Sequence, residues 1–335
     1  MKLISYLSEN ETDQLAILID QTAYDVDVLD ESLPGTMSDF LWEGPEAINL
    51  AKEYEKKIRS GALKPDFGKP VDKLTLLAPV PFPTSFRDAY AFRQHVEAAR
   101  RNRGMEMIPE FDQFPVFYFT NHNAVQGPGN VYLMPDHFKM LDFELEIAAV
   151  IGKEGSNIRA EQADTYIAGF TILNDLSARQ LQMEEMKLNL GPAKGKDFAN
   201  LIGPWLVTPD ELEKHLVKPK PGHTGKVYNL KMTCKINGRL VSEGNMKDMD
   251  WTFAEIIERC SYGTDLLPGD VIGSGTVGTG CFLEINGTEK LKNPSYEPQW
   301  LKENDVVELE IEGLGKLVNT MKKISTDYSI LALKK

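Results

Sequence analysis

Three cysteines, Cys234, Cys260 and Cys281, are all that the 335 residues contain, and no two stand in a C-x-x-C pair. An odd number without paired spacing argues against a disulfide framework and against a thiolate zinc site, which leaves core residues. Long apolar runs are missing too, so no membrane-spanning helix is expected. The apolar residues 1–7 run at once into Ser8-Glu9-Asn10-Glu11, too short a stretch for a signal-peptide core, and a cytoplasmic protein is expected. Positive charge is scarce, with 37 Lys and Arg against 50 Asp and Glu and a net charge of −13. Nucleic acids and anionic membranes are bound through basic patches, so neither is an expected partner. There is no G-x-S-x-G elbow, no H-E-x-x-H and no internal repeat, which removes the starting points for a serine hydrolase, a zincin and a solenoid.

What is present is organised around residues 141–152, Leu-Asp-Phe-Glu-Leu-Glu-Ile-Ala-Ala-Val-Ile-Gly. Read as a strand, it places Phe143, Leu145, Ile147 and Ile151 on one face and Glu144, Glu146, Ala148 and Val150 on the other. Both faces turn apolar, the pattern of a strand covered on both sides. Glu144 and Glu146 then either lie on the solvent face of an edge strand or are buried and paired or bound to a metal.

Residues 1–73 differ in texture, with strand-like runs at 2–7 and 14–19 and a polar helical stretch at 45–60, and read as a small N-terminal domain. Residues 61–83 are rich in Pro and Gly and read as a connector into a second domain, 74–335. Residues 85–103 show helical spacing of Phe92, Val96 and Ala99, which would put Asp88 and His95 on one helical face. A strand is expected over 166–173 and a helix over 178–187 that Asp175 or Ser177 could cap. Asn237-Gly238 predicts a two-residue hairpin turn, with a helix at 253–260 and a strand at 306–311 beyond it. Gly273-Ser274-Gly275-Thr276-Val277-Gly278 fits G-x-G-x-x-G, but the strand-like 280–285 that follows is the wrong context for dinucleotide binding.

Several segments together resemble the fumarylacetoacetate hydrolase family: Asp142-Phe143-Glu144-Leu145-Glu146, Leu173-Asn174-Asp175-Leu176-Ser177-Ala178-Arg179, Leu190-Gly191-Pro192 with Gly195-Lys196, Leu267-Pro268-Gly269-Asp270, and Ser274-Gly275-Thr276. Upstream, Asp88-Ala89-Tyr90-Ala91-Phe92-Arg93-Gln94-His95 and Pro115-Val116-Phe117-Tyr118 resemble the fumarylacetoacetase branch. The resemblance implies a β-rich α+β fold, with a rolled β-sandwich catalytic domain after a small barrel-like N-terminal β domain, and a homodimer. It implies that Asp88, Glu144, Glu146 and Asp175 bind a divalent cation. Such an all-oxygen set suits a hard ion, Mg²⁺ or Ca²⁺.

The same resemblance implies that His95 is the general base for a water, oriented by Glu284, and that Lys196 and Gln182 stabilise the oxyanion. Tyr90, Tyr118, Thr276 and the backbone at Gly195 would hold the substrate. The implied reaction is C–C hydrolysis of a β-diketo acid, fumarylacetoacetate to fumarate and acetoacetate at the end of tyrosine breakdown. Acylpyruvate or fumarylpyruvate hydrolysis, a related decarboxylation, or a purely structural metal site are the alternatives. Three departures from the family pattern affect substrate contacts. No Arg stands in register after His95, with Arg100, Arg101 and Arg103 all near; a family Tyr falls near Glu185 or Met186; and Asn200 replaces a hydroxyl residue.

Overall fold

The residues around Glu146 do form a strand covered on both faces, and the rest of the fold follows from covering it. In the computed structural model, which describes residues 1–332, Leu145–Ile151 is buried along its whole length. Leu145, Ile147, Ala149 and Ile151 enter one apolar cluster, while Ala148 and Val150 enter another on the opposite side. The strand is shorter than expected. It is interrupted at Phe143 and Glu144, where the N–H of Glu144 leaves the ladder and donates to Asn174 Oδ1 at 3.0 Å.

An 11-stranded sheet runs in the order Lys69–Pro70, Thr22–Asp25, Asp13–Ile19, Lys2–Leu7, Asn200–Val207, Ile167–Asp175, Leu145–Ile151, Val271–Gly273, Phe86–Ala89, Phe117–Phe119, with Val125–Gln126 also pairing to Asn200–Val207. A second sheet of five strands runs Arg239–Asn245, Lys231–Ile236, Val306–Ile311, Gly315–Lys323, Gly129–Leu133. Side chains of both sheets share one core, with Ile147, Phe170 and Ile172 from the first and Met232, Leu309 and Leu317 from the second. The fold is mixed α+β and dominated by sheet. The N-terminal strands do not close into a barrel. Lys2–Leu7 pairs with Asn200–Val207 in the register Lys2↔Val207, because Leu3, Leu15 and Ile17 find apolar cover against Val150, Leu206 and the helix Pro45–Arg59. Burying each such side chain is worth roughly 1.5–3 kcal/mol, so the edge gains by extending the sheet.

The Asn237-Gly238 turn, the helix Phe253–Cys260 and the strand Val306–Ile311 lie where the sequence puts them. Residues 85–103 do not form one helix. Phe86–Ala89 is a strand, and the helix begins only at Arg93–Arg101, so Asp88 and His95 come from different elements. Residues 280–285 are not a strand either, since Phe282–Lys292 is helical. The three cysteines are buried and unpaired. No helix among the described residues is long and apolar enough to cross a membrane.

Candidate active site

Nine of the twelve residues singled out above line one cavity of about 860 Å³: Asp88, Tyr90, His95, Tyr118, Glu144, Gln182, Lys196, Thr276 and Glu284. Glu146 and Asp175 lie beside them, 0% and 1% exposed. Gly195 does not line the cavity. A Cβ there would sit 2.6 Å from Gln182 Cβ and 2.7 Å from its backbone, so this glycine lets the loop pass against the helix Arg179–Met186. The carboxyl of Glu185 fastens that passage by accepting from the Gly195 N–H at 3.2 Å.

The carboxylates arrive from strands of one sheet. Asp88 is next to last in Phe86–Ala89, Glu146 belongs to Leu145–Ile151, and Asp175 ends Ile167–Asp175. Asp88, Glu144 and Glu146 each offer an oxygen within 4.8 Å of the other two. Asp175 falls outside that set. Its Oδ2 accepts from Lys196 Nζ at 2.8 Å and from the Tyr118 hydroxyl, and Lys196 also bonds Glu144. Asp175 therefore caps no helix. The glycine motif has its own use here: a Cβ on Gly273 would lie 2.3 Å from Asp88 Oδ1, and Gly275, at φ +78°, donates its N–H to the same oxygen at 3.1 Å.

Electrostatics divides this group. Burial, then the neighbouring Asp175, pushes the Asp88 carboxyl up to about 7. Burial and the Asp88 and Glu144 charges raise Glu146 well above the carboxylate range, and burial raises Asp175. Glu144 goes the other way. Burial opposes its charge, but Lys196 and Arg179 overcome that and hold it at about 2. Glu146 Oε2 and Asp175 Oδ1 are buried without a partner among the described residues. Crowded oxygens, raised pKa values and orphaned acceptors are what a hard divalent cation would relieve, so the residues fit the ion that the family pattern implies. Asp88, Glu144 and Glu146 would hold it, with Asp175 at the margin.

Beside the carboxylates, His95 Nδ1 lies 2.6 Å from Glu284 Oε2. Glu284 Oε1 accepts the Thr279 N–H at 2.9 Å. Tyr90 packs edge-on against the imidazole with ring centroids 5.8 Å apart, and burial raises its hydroxyl to about 12. Thr276 Oγ1 donates to Glu146 Oε1 at 3.1 Å. Cys281 lies near the same His and Glu, but burial keeps its thiol protonated.

Two residues matter here that the sequence reading gave no role. Arg179 donates to Asp142 Oδ2 at 2.9 Å, to Glu144 Oε1 at 2.6 Å and to Gln182 Oε1 at 3.0 Å. With its carbonyl taken, the Gln182 amide keeps its N–H groups as donors. Asp142 accepts the N–H groups of Phe282 and Leu283 at 2.7 and 2.9 Å, which caps the helix carrying Glu284. Only the spacing of Asp142 from Glu144 hinted at this. Of the three arginines after His95, Arg103 is the one that lines the cavity. Asn200 is buried and bonded to Asn121 and Thr120 rather than to the cavity.

Comparisons with known proteins bear on the family of the chain. Residues 84–322 match the sequence model described as fumarylacetoacetate (FAA) hydrolase C-terminal. Among curated relatives, the oxaloacetate tautomerase Fahd2a, mitochondrial, of Rattus norvegicus is 31% identical over 299 residues, covering 88% of this chain and 82% of that protein. The fumarylacetoacetate hydrolase domain-containing protein 2 homolog of Dictyostelium discoideum is 27% identical over 330 residues, covering 96% and 97%. A fumarylacetoacetate hydrolase from psychrophilic Exiguobacterium antarcticum has the same fold, with a TM-score of 0.70 at 23% identity over 97% of this chain and 100% of that one. The chain therefore belongs to the fumarylacetoacetate hydrolase family of enzymes.

Proposed function

We propose that the chain moves a proton at the enolisable carbon of a 2-oxo or 1,3-dioxo acid, and that keto–enol tautomerisation of an oxaloacetate-like substrate is its first activity. The observation that carries this is the His95–Glu284 pair at 2.6 Å in the wall beside the carboxylate group. A bound divalent ion, Mg²⁺ or Ca²⁺, would supply Lewis-acid stabilisation of the enolate oxygen. His95 takes the proton from the carbon and returns it at the other position, while Glu284 holds the ring and stabilises the imidazolium between the two transfers. Tyr90, Tyr118 and Thr276 hold the substrate's oxygens. The curated relatives named as oxaloacetate tautomerases, at 30–31% identity over 88% of the chain, support this reading.

A second reading, C–C hydrolysis of a β-diketo acid such as fumarylacetoacetate, is favoured by Arg179, which fixes Gln182 as a donor next to Lys196. His95 then deprotonates a water whose oxygen bonds to the carbonyl carbon. Gln182 and Lys196 hold the oxyanion. As the C–C bond breaks, its electron pair stays on the departing carbon as an enolate, which takes the proton back from His95.

The test is a comparison on one Mg²⁺-loaded preparation. Decay of the enol absorbance of oxaloacetate reports tautomerisation, and product analysis after fumarylacetoacetate, fumarylpyruvate or simple acylpyruvates reports cleavage. Oxaloacetate turnover without cleavage establishes the first reading, and cleavage establishes the second. Turnover of none of these substrates, with chelation only lowering the melting temperature, would leave a structural metal site. The homodimer that this reading expects is checked by light scattering.

A further inference from the structure

His95 and Glu284 stand on two short helices, and neither helix caps its own start. Phe282–Lys292, which carries Glu284, begins after Cys281, and Arg93–Arg101, which carries His95 as its third residue, begins after Phe92. Neither Cys281 nor Phe92 supplies a side-chain cap, so the free N–H groups of both first turns need acceptors from elsewhere. Asp142 serves the first helix through the N–H groups of Phe282 and Leu283. The second is served by Asp250, whose Oδ2 accepts the Arg93 N–H at 2.8 Å from 157 positions away in the chain.

The loop around Asp250 holds more than that one N–H. The N–H groups of Asp250 and Trp251 both donate to the Ala91 carbonyl, at 2.9 and 3.4 Å. The loop therefore grips the chain on both sides of Phe92, which is buried in the main core. At its far end the helix is tied to its partner, because Asn102 Nδ2 donates to the Glu284 carbonyl at 3.0 Å. His95 lies about 3 Å of helix rise beyond Arg93, so a slip at the Asp250 clasp carries over to the imidazole and to its 2.6 Å contact with Glu284. This clasp is the lighter of the two. Asp142 is 0% exposed and paired to the buried Arg179, whereas the Asp250 side chain is 19% exposed and its Oδ1 accepts from Lys220 Nζ at 2.7 Å, on a side chain that is itself 42% exposed.

We propose that Asp250 is a positioning residue for His95, holding the start of the helix Arg93–Arg101 so that the imidazole meets both Glu284 and the reacting carbon of the substrate. The effect on rate rests on His95 as the proton-transfer base, and the positioning itself is read without turnover. In protein carrying ¹⁵N in its five histidines, the imidazole signal of His95 is identified by its loss in His95→Ala. In Asp250→Ala that signal shifts or broadens while those of His122, His137 and His215 stay and report an intact fold. With it, kcat falls roughly tenfold to a hundredfold at unchanged KM and bound Mg²⁺. Asp250→Asn keeps an oxygen that accepts the Arg93 N–H and restores both signal and rate. Lys220→Ala removes only the outer ion pair and leaves kcat within about twofold. Asp250→Glu sets the acceptor one methylene further out and moves signal and rate in the same direction by less, and it carries the test if Asp250→Ala does not fold. In the His95→Ala background, Asp250→Ala brings no further loss. An unmoved His95 signal, an unchanged kcat where His95→Ala is impaired, equal losses in the Ala and Asn variants, or a further loss in the absence of His95 overturns the proposal. Full turnover in His95→Ala, with the His95 signal still moved by Asp250→Ala, removes the proton-transfer reading and leaves the positioning standing.

Discussion

At the floor of the cavity Glu146 is fully buried, while at its mouth Met186 is 50% exposed and Leu188, just past the same helix, is 81% exposed. The floor is over-determined. Glu144 alone answers to Lys196, Arg179 and the Asn174 side chain, and Arg179 in turn answers to Asp142 and Gln182. At the mouth, Met183 and Met186 answer mainly to shape. A buried charge that loses its partner is costly, whereas an exposed thioether is replaced at little cost. The difference teaches that the two ends can change independently, since the floor is held by interlocked charged pairs and the mouth is not.

The comparison breaks most visibly at the floor. Glu146→Ala removes one of three clustered carboxylates, and the protein is expected to emerge from gel filtration without stoichiometric divalent metal and with turnover down roughly a thousandfold or more. Metal analysis and a rate on the same sample check it, and full metal retention would show that the cluster is not the ion's seat. His95→Ala is the next largest change. A positioned general base contributes about 10²–10⁴ in rate, so turnover should fall by that range while metal content stays at the wild-type level. Loss of both together would tie His95 to the metal rather than to proton transfer.

Much of the floor was legible in sequence and part of its scaffolding was not, for reasons that are local. Leu145–Ile151 is readable because alternation survives on both faces, and the Asn237-Gly238 hairpin is readable because its turn chemistry is self-contained. The helix carrying Glu284 is not readable. Cys281-Phe282-Leu283-Glu284-Ile285 has a strand's composition, its N-cap residue Cys281 supplies no side-chain hydrogen bond, and the cap comes from Asp142, 140 residues away. Residues 85–103 mislead for the opposite reason. Phe92, Val96 and Ala99 carry a true helical period, but it begins only at Arg93, and the strand Phe86–Ala89 before it is fixed by pairing with Val271–Gly273. Arg179 is visible as a motif letter, yet its partners are spread over 40 residues of sequence and meet only in the fold.

Crowding at the floor also has a stability signature that the mouth lacks. Asp88 is held protonated up to about pH 7 in the fold by burial and by Asp175, against an ordinary carboxyl value near 4 in the unfolded chain. Between those values the folded state binds more protons than the unfolded state, so the metal-free protein loses stability as pH rises from about 4 to about 7. Glu146 and Asp175, raised in the same direction, add to the loss. A bound cation replaces the protons and should cancel the slope. Melting curves of chelated protein are expected to fall by roughly 5 °C across that window, and those of Mg²⁺-loaded protein to stay level. Parallel curves with and without metal would mean that the crowded carboxylates and the ion do not share a site.

The smallest effect is expected at Leu188, and it sharpens the comparison from the other side. Leu188 and Leu190 are 81% and 82% exposed and belong to neither described apolar cluster that flanks the central strand. Burial supplies most of what a leucine contributes to stability, so a leucine that remains in water contributes little. Leu188→Ser should shift unfolding by no more than about 0.5 kcal/mol, the usual range for surface positions. Its catalytic consequence should be equally slight, since neither Leu188 nor Leu190 lines the cavity. Denaturant unfolding followed at two protein concentrations checks the first point, and a rate on the same samples checks the second. A small shift at both concentrations keeps the mouth as a tolerant rim. A loss of several kcal/mol that depends on concentration would mean that this leucine is covered by a second copy of the chain, and the contrast between a rigid floor and a free mouth would then hold only for the isolated protomer.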